Sequence, residues 1–290
     1  MTVGNPARNP VVWGWDHIRS ALHGMDAAGH RHTPAPAVAP RIRQLSAGDL
    51  FAALGEGFDD FRADPTHYLF LCAIYPALGL LLARVASGAA AFPLLFPLVA
   101  GFALLGPFAA VGLYELSRRR EAGAEIAWWH AFDVFRSPAL GDILKLGLAL
   151  AGLFVLWLVA AEAIYLLTVG ALAPASFGAL LHDALFTWRG WVLIAAGNLL
   201  GLGFAVVALM IGVVSFPMLV DGAAGVELAV TTSLAAVRAN KAAMAGWGLI
   251  VAFWLMVGSV PFLLGLAVVI PVLGHATWHL YRRTVATGQG

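Results

Sequence analysis

Apolar residues run through this chain in blocks long enough to cross a hydrocarbon core of roughly 30 Å, and between the blocks the pattern becomes amphipathic. The blocks are about Tyr68 to Ala86, Pro93 to Leu116, Ile143 to Val169, Trp191 to Val214, Lys241 to Val260 and Pro261 to Leu280. They predict six membrane-crossing helices. The last two meet at Gly258-Ser259-Val260-Pro261, a tight turn with Pro261 at the first helical position, where its missing N–H costs nothing.

Ahead of each odd-numbered block lies a shorter segment with one apolar stripe. In the first, Leu50, Leu54, Phe58 and Phe61 form the stripe, and Phe58-Asp59-Asp60-Phe61-Arg62 has counterparts in Phe132-Asp133-Val134-Phe135-Arg136 and Leu234-Ala235-Ala236-Val237-Arg238. Gly123 to Arg136 aligns on Gly225 to Arg238 without a gap. Each segment begins near an acid (Asp49, Glu125, Glu227) and ends on an arginine, the polarity that complements a helix dipole. The even-numbered blocks repeat as well. Pro97, Gly101, Ala103, Pro107, Tyr114, Leu116, Arg118 and Arg119 align at one offset with Pro261, Gly265, Ala267, Pro271, Trp278, Leu280, Arg282 and Arg283. The predicted fold is therefore an all-α membrane protein, with six transmembrane helices arranged as three parallel repeats of an amphipathic interfacial helix plus a transmembrane hairpin. The repeats span about 46–120, 121–220 and 225–284 within a domain of 41–284, and 285–290 form a short tail. Parallel repeats argue against the inverted symmetry common in alternating-access carriers. The middle hairpin has a long outer loop, about Gly170 to Arg189, carrying His182 and Asp183.

Residues 1–40 differ in kind. His30-Arg31-His32 and the Pro/Ala run from Thr33 to Pro40 cannot bury a core and are expected to be a disordered cytoplasmic tail, with an amphipathic helix near 11–25 along Val11, Trp15, Ile18, Leu22 and Met25.

Composition agrees with a membrane setting: 61% of the 290 residues are hydrophobic and 11% charged, against about a quarter charged in soluble domains. Of 17 lysines and arginines, only Arg84 and Arg189 fall on the far side of the six-helix arrangement, so both termini are expected in the cytoplasm. The net charge of +1 carries no message about nucleic acid. With only short apolar runs before Arg41, no secretory signal is expected, and the single cysteine, Cys72, excludes an intrachain disulfide.

Ionisable groups inside a bilayer cost about 2.5 to 3.5 kcal/mol at a helix centre, so the few present are candidates for function. Glu162 and Asn198 fall at matching depth on the third and fourth helices, where a hydrogen bond would join them or a solute could bind. A second group gathers at the cytoplasmic ends: His67, Glu115, Asp142, His275 and His279. His275 and His279 share a helix face. Metal binding there would take its third ligand from Glu115, which the repeat superposes on His279; hydrogen-bonded interfacial histidines are the simpler reading. Two histidines on one turn cannot be opposite axial ligands of one haem. No metal, haem or other cofactor is predicted. Arg62, Arg136 and Arg238, closing the three interfacial segments, are expected at lipid phosphates. The chain has no phosphate-binding loop, nucleophile elbow, paired catalytic carboxylates or H-E-x-x-H, which points away from an enzyme.

Several stretches carry a family resemblance: Pro76-x-x-Gly79, Gly106-Pro107-Phe108, Gly112 to Arg120, Val214 to Pro217, and Pro271 to Arg282 with Gly274-His275-Ala276-Thr277-Trp278-His279-Leu280-Tyr281-Arg282. In these the chain resembles uncharacterised bacterial integral membrane proteins catalogued as a domain of unknown function, over about Arg41 to Thr284. The resemblance implies a multi-pass protein of the inner membrane and supplies no activity or catalytic residue. Some members carry a label of cytochrome c oxidase subunit I, but haem–copper core subunits resemble a much longer bundle with its ligand histidines inside. Together these features favour a non-enzymatic scaffold, assembly or regulatory protein of a membrane complex. The alternatives are a small-solute transporter or channel at Glu162/Asn198, and a metal- or haem-binding redox accessory at His275/His279. The bilayer, and a membrane protein complex, are the expected partners.

Overall fold

The computed structural model of the chain describes residues 40–63, 79–80, 93–170, 176–222, 225–260 and 265–286. Their regular elements are helices apart from one antiparallel pair of two-residue strands, β1 (Arg41–Ile42) and β2 (Val285–Ala286). The expected tail, the cytoplasmic candidate His67 and nearly all of the first expected span lie outside the described residues.

Helix α1 (Ala47–Ala63) is the first interfacial segment. Its start is fixed by a reciprocal cap, in which the Ser46 hydroxyl accepts from the Asp49 amide at 3.2 Å and the Asp49 carboxylate accepts from the Ser46 amide at 2.8 Å. The second expected span is broken where its prolines deny the ladder a donor: α2 (Leu95–Phe102), a 3-10 turn (Ala103–Leu105), α3 (Gly106–Ala109) and α4 (Val111–Glu121). The second interfacial segment is a 3-10 helix, Trp128–Arg136, where an α-helix was expected. Helix α5 (Leu140–Thr168) is roughly 44 Å long at 1.5 Å per residue, more than a hydrocarbon core needs. The long outer loop contains a helix of its own, α6 (Phe177–Phe186), capped by Ser176. Helix α7 (Trp188–Gly212) continues after a break into α8 (Ser215–Val220). Then follow α9 (Val226–Ala239), α10 (Lys241–Ser259) and α11 (Leu266–Thr284).

Among the described residues four helical stretches are long and apolar enough to cross a membrane: Phe96–Glu121, Leu140–Thr168, Trp188–Val220 and Lys241–Ser259. Their outer faces leave Leu148, Val155, Val159, Leu167, Leu199, Leu202, Leu249 and Met256 exposed, as a lipid-facing surface requires. Helix α11, expected as the sixth span, differs from these four. Leu273, Gly274, His275, Ala276, Trp278, Leu280 and Tyr281 are all buried, because α1, α4 and α8 enclose its C-terminal half.

Each segment expected to be interfacial packs on the end of a helix from an expected even-numbered span. Segment Trp128–Arg136 lies on α4, α9 lies on α7 and α8, and α1 lies on α11 in the most extensive contact among the described residues. The approaches are close. A Cβ on Gly57 would collide with the backbone of Ala276, and one on Gly112 would come within 3.1 Å of Ala131. At the third contact, Ser233 bridges the break between α7 and α8, donating to the Met210 carbonyl at 2.8 Å and accepting from the Val214 amide at 3.3 Å. The beginning and end of the domain are tied together as well. The Arg43 amide donates to the Thr284 carbonyl at 2.8 Å beside the β1–β2 pair. Asn240, buried at the start of α10, accepts from the Leu45 amide at 2.7 Å and donates to the Arg43 carbonyl at 3.0 Å.

Candidate functional site

The α1–α11 contact carries a buried polar cluster that continues onto α4. Asp60 of α1 is 6% exposed, Ser117 of α4 is 1% and His275 of α11 is 0%. The Ser117 hydroxyl donates to Asp60 Oδ2 at 2.8 Å and lies 2.6 Å from His275 Nδ1. A hydroxyl has one proton. With that proton directed at the carboxylate, Nδ1 of His275 is the protonated nitrogen and donates to the serine oxygen. His279, one turn along α11, places Nε2 3.0 Å from Asp60 Oδ2 and Nδ1 3.4 Å from Glu56 Oε2. Arg120 Nε stands 3.4 Å from Asp60 Oδ1. Burial by itself would raise the Asp60 pKa; the hydrogen bond from His279, the charge of His275 and the hydrogen bond from Ser117 outweigh it and hold the carboxyl below its usual value.

Around this cluster runs a layer of ion pairs. Arg283 donates to Glu56 at 2.6 Å and lies 3.5 Å from Asp49. Arg282 donates to Glu121 at 2.9 Å and lies 3.5 Å from Asp221, which also accepts from the Tyr281 hydroxyl at 2.8 Å. Burial, followed by the negative charge of Asp221, pushes the Tyr281 pKa up, so the phenol remains a donor. The Trp278 indole donates to Glu121 at 3.1 Å. A cavity of about 470 Å³ opens beside the cluster. Its lining includes Arg43, Arg120, Arg282 and Arg283, the carboxylates of Glu56, Asp60 and Glu121, and Ser117 and His279.

Of the residues expected at the cytoplasmic ends, His275 and His279 come together here. Glu115 does not join them. It accepts from Arg118 at 2.7 and 2.9 Å and from Arg119 at 3.1 Å, and Arg119 continues to Asp133 at 2.6 Å. Asp142 lies elsewhere, 3.4 Å from Lys145 and accepting from the Val226 amide at 3.3 Å. Among the described residues no group of three or more His, Cys, Asp or Glu side chains is arranged to hold a metal ion. Glu162 and Asn198 form no mutual hydrogen bond. Asn198 is exposed and donates to the Ile194 carbonyl of its own helix at 2.8 Å, while Glu162 Oε2 is buried without a hydrogen-bond partner among the described residues. Arg62, Arg136 and Arg238 are all exposed.

Sequence reasoning missed Asp60, Ser117, Arg120, Glu56 and Glu121. A signal for Asp60 was present in the aligned interfacial segments, where it stands at the place of Val134 and Ala236, both buried at 6% and 0%. An acid at an inward-facing apolar position announces a buried partner.

The helices, their apolar outer faces and the polar layer at one end define the class: an integral membrane protein made of several apolar helices. Within it, residues 94–221 match the model of a family described as "Predicted integral membrane protein (DUF2189)", which is a domain of unknown function, as the resemblance implied. No curated protein and no solved structure matches the chain.

Proposed function

We propose that this protein is a non-enzymatic scaffold or assembly factor of the bacterial inner membrane, multi-pass with both termini cytoplasmic, built from three interfacial-helix-plus-hairpin repeats closed into a ring. The observation that carries the scaffold reading is how the charged groups of the polar layer are used: Asp60, Glu56, Glu121 and Asp221 each bind groups from another helix, so the layer fastens α1, α4, α8 and α11 together. A rigid platform results. The closed ring is supported by the packing order, since each interfacial segment rests on the last helix of the preceding repeat and α1 rests on the last helix of all. It is supported too by three aromatic residues that the repeat offsets superpose, Tyr114, Phe216 and Trp278, each fully buried. The exposed Arg62, Arg136 and Arg238 suit contact with lipid phosphates around the platform. Blue-native electrophoresis of gently solubilised native membranes tests the scaffold reading. Migration in a larger assembly with co-purifying proteins is expected; migration as a lone small species with nothing bound overturns it.

A further inference from the structure

We propose that the cavity between α1, α4 and α11 binds a phosphate-bearing anion, either a lipid headgroup or free phosphate. This goes beyond the scaffold reading and does not depend on it. Four arginines line the cavity against three carboxylates, and Arg283 and Arg282 also face Asp49 and Asp221, which leaves Arg43, among the described residues, as the lining cation without a carboxylate. The carboxylates already have cations or donors of their own: Glu56 has Arg283, Glu121 has Arg282, and Asp60 has Ser117, His279 and Arg120. Guanidinium donors remain uncommitted beside them. Among the described residues the Arg43 guanidinium has no hydrogen bond or ion pair, although its backbone is held on both sides by Thr284 and Asn240. Arg283 Nε is buried without a hydrogen-bond partner among those residues. A fixed backbone presenting uncommitted guanidinium donors is suited to phosphate oxygens.

Position and comparison within the chain point the same way. The cavity lies at the Glu121 end of the candidate membrane span Phe96–Glu121, where a bilayer crossed by that span would present its headgroups, and about 470 Å³ is room enough for one. The repeat offsets place Val134 and Val111 where Asp60 and His275 stand, and those two valines line a smaller apolar pocket of about 120 Å³. The fold thus closes the equivalent contact with an Arg119–Asp133 ion pair but without a buried Asp–His pair.

The test uses the purified full chain in detergent, titrated calorimetrically with dioctanoyl-phosphatidylglycerol, with inorganic phosphate, and with dioctanoylglycerol as the control without phosphate. Saturable binding of a phosphate-bearing probe is expected, weakened on the order of tenfold in Arg43→Gln, the effect of losing a charged hydrogen-bond donor. Glu121→Gln removes a repelling charge and is expected to tighten binding several-fold, a direction that general destabilisation does not produce; it decides the matter by itself if Arg43→Gln does not fold. Binding of the lipid but not of phosphate identifies a headgroup site, and binding of both identifies a phosphate site. The proposal is overturned by equal binding of dioctanoylglycerol, by no saturable binding, by an unchanged Arg43→Gln, or by Glu121→Gln binding no tighter.

Discussion

Gly57 is where α1 comes closest to α11, and the residue type is dictated by the neighbour: any side chain would push into the Ala276 backbone. Backbone cannot swing aside as a flexible side chain can. Gly57→Val is expected to lower stability by about 1 to 3 kcal/mol through overpacking, seen as a fall in Tm in detergent. Gly55, one residue pair back on the same helix, meets nothing within 4 Å, and Gly55→Ala is the matched control, expected to hold or raise Tm because alanine favours helix. Three residues beyond Gly57, Asp60 supplies the acceptors for Ser117 and His279. Asp60→Ala removes the shared acceptor of Ser117 and His279 from a buried position, and a loss of about 3 kcal/mol is expected on thermal unfolding. The pH dependence follows in sign. Since the folded carboxyl titrates below its ordinary value of 3.8, its contribution is complete above that pH and is lost as pH falls through the lower folded value. The wild-type Tm should therefore drop more steeply than that of Asp60→Asn below pH 3.8. The half of this site on α11 was legible in the sequence, because His275 and His279 are conspicuous in an apolar block. The half on α1 was harder to read, because Asp60 sits beside Asp59 and off the apolar stripe of its amphipathic segment, and three-dimensional packing tells the buried acid from the exposed one.

The segments expected to be interfacial were legible as elements, and less so in what they touch. The stripe of Leu50, Leu54, Phe58 and Phe61 was expected to face lipid or bundle as one surface, yet Leu50 and Phe61 are buried while Phe58 is 45% exposed. The packed face is rotated towards Ala53, Gly57 and Asp60, since close helix approach selects small residues over large apolar ones. Trp128–Arg136 begins as late as Trp128 because Gly123, with φ +66°, and the extended Ala127 interrupt the segment aligned with α9. Element ends likewise turn on single polar groups. Asn240 holds Leu45 and Arg43 while also bonding the Ala236 carbonyl of its own helix. In Asn240→Ala the strand segment at Arg41–Ile42 loses this clamp, and trypsin should cut after Arg43 several-fold faster in folded protein, with unchanged cutting counting against the clamp. A loss of roughly 1 to 3 kcal/mol accompanies the unmet amide and carbonyl groups.

For the whole molecule, the decisive relation is between its two ends, which no local pattern in the sequence could announce. Strand β1 pairs with β2 in a register that matches Ile42 with Val285, and the bond from the Arg43 amide to the Thr284 carbonyl makes Ile42 and Val285 a non-hydrogen-bonded pair. Such antiparallel pairs bring Cα atoms to about 4.5 Å, within the range a disulfide spans. The same contact could be made between two chains exchanging their α1 segments, and the two cases separate cleanly. Ile42→Cys with Val285→Cys, in a chain whose Cys72 is replaced by alanine, should oxidise to a single-chain species that migrates faster on non-reducing gels. Covalent dimers would mean that α1 is exchanged between copies. Closing so long a loop would stabilise by about 4 to 5 kcal/mol on the chain-entropy account, and engineered disulfides commonly give less. The size of the gain is therefore secondary to its topology: if the closed monomer forms, the polar layer that joins α1, α4 and α11 belongs to one chain, and the ring is complete within it.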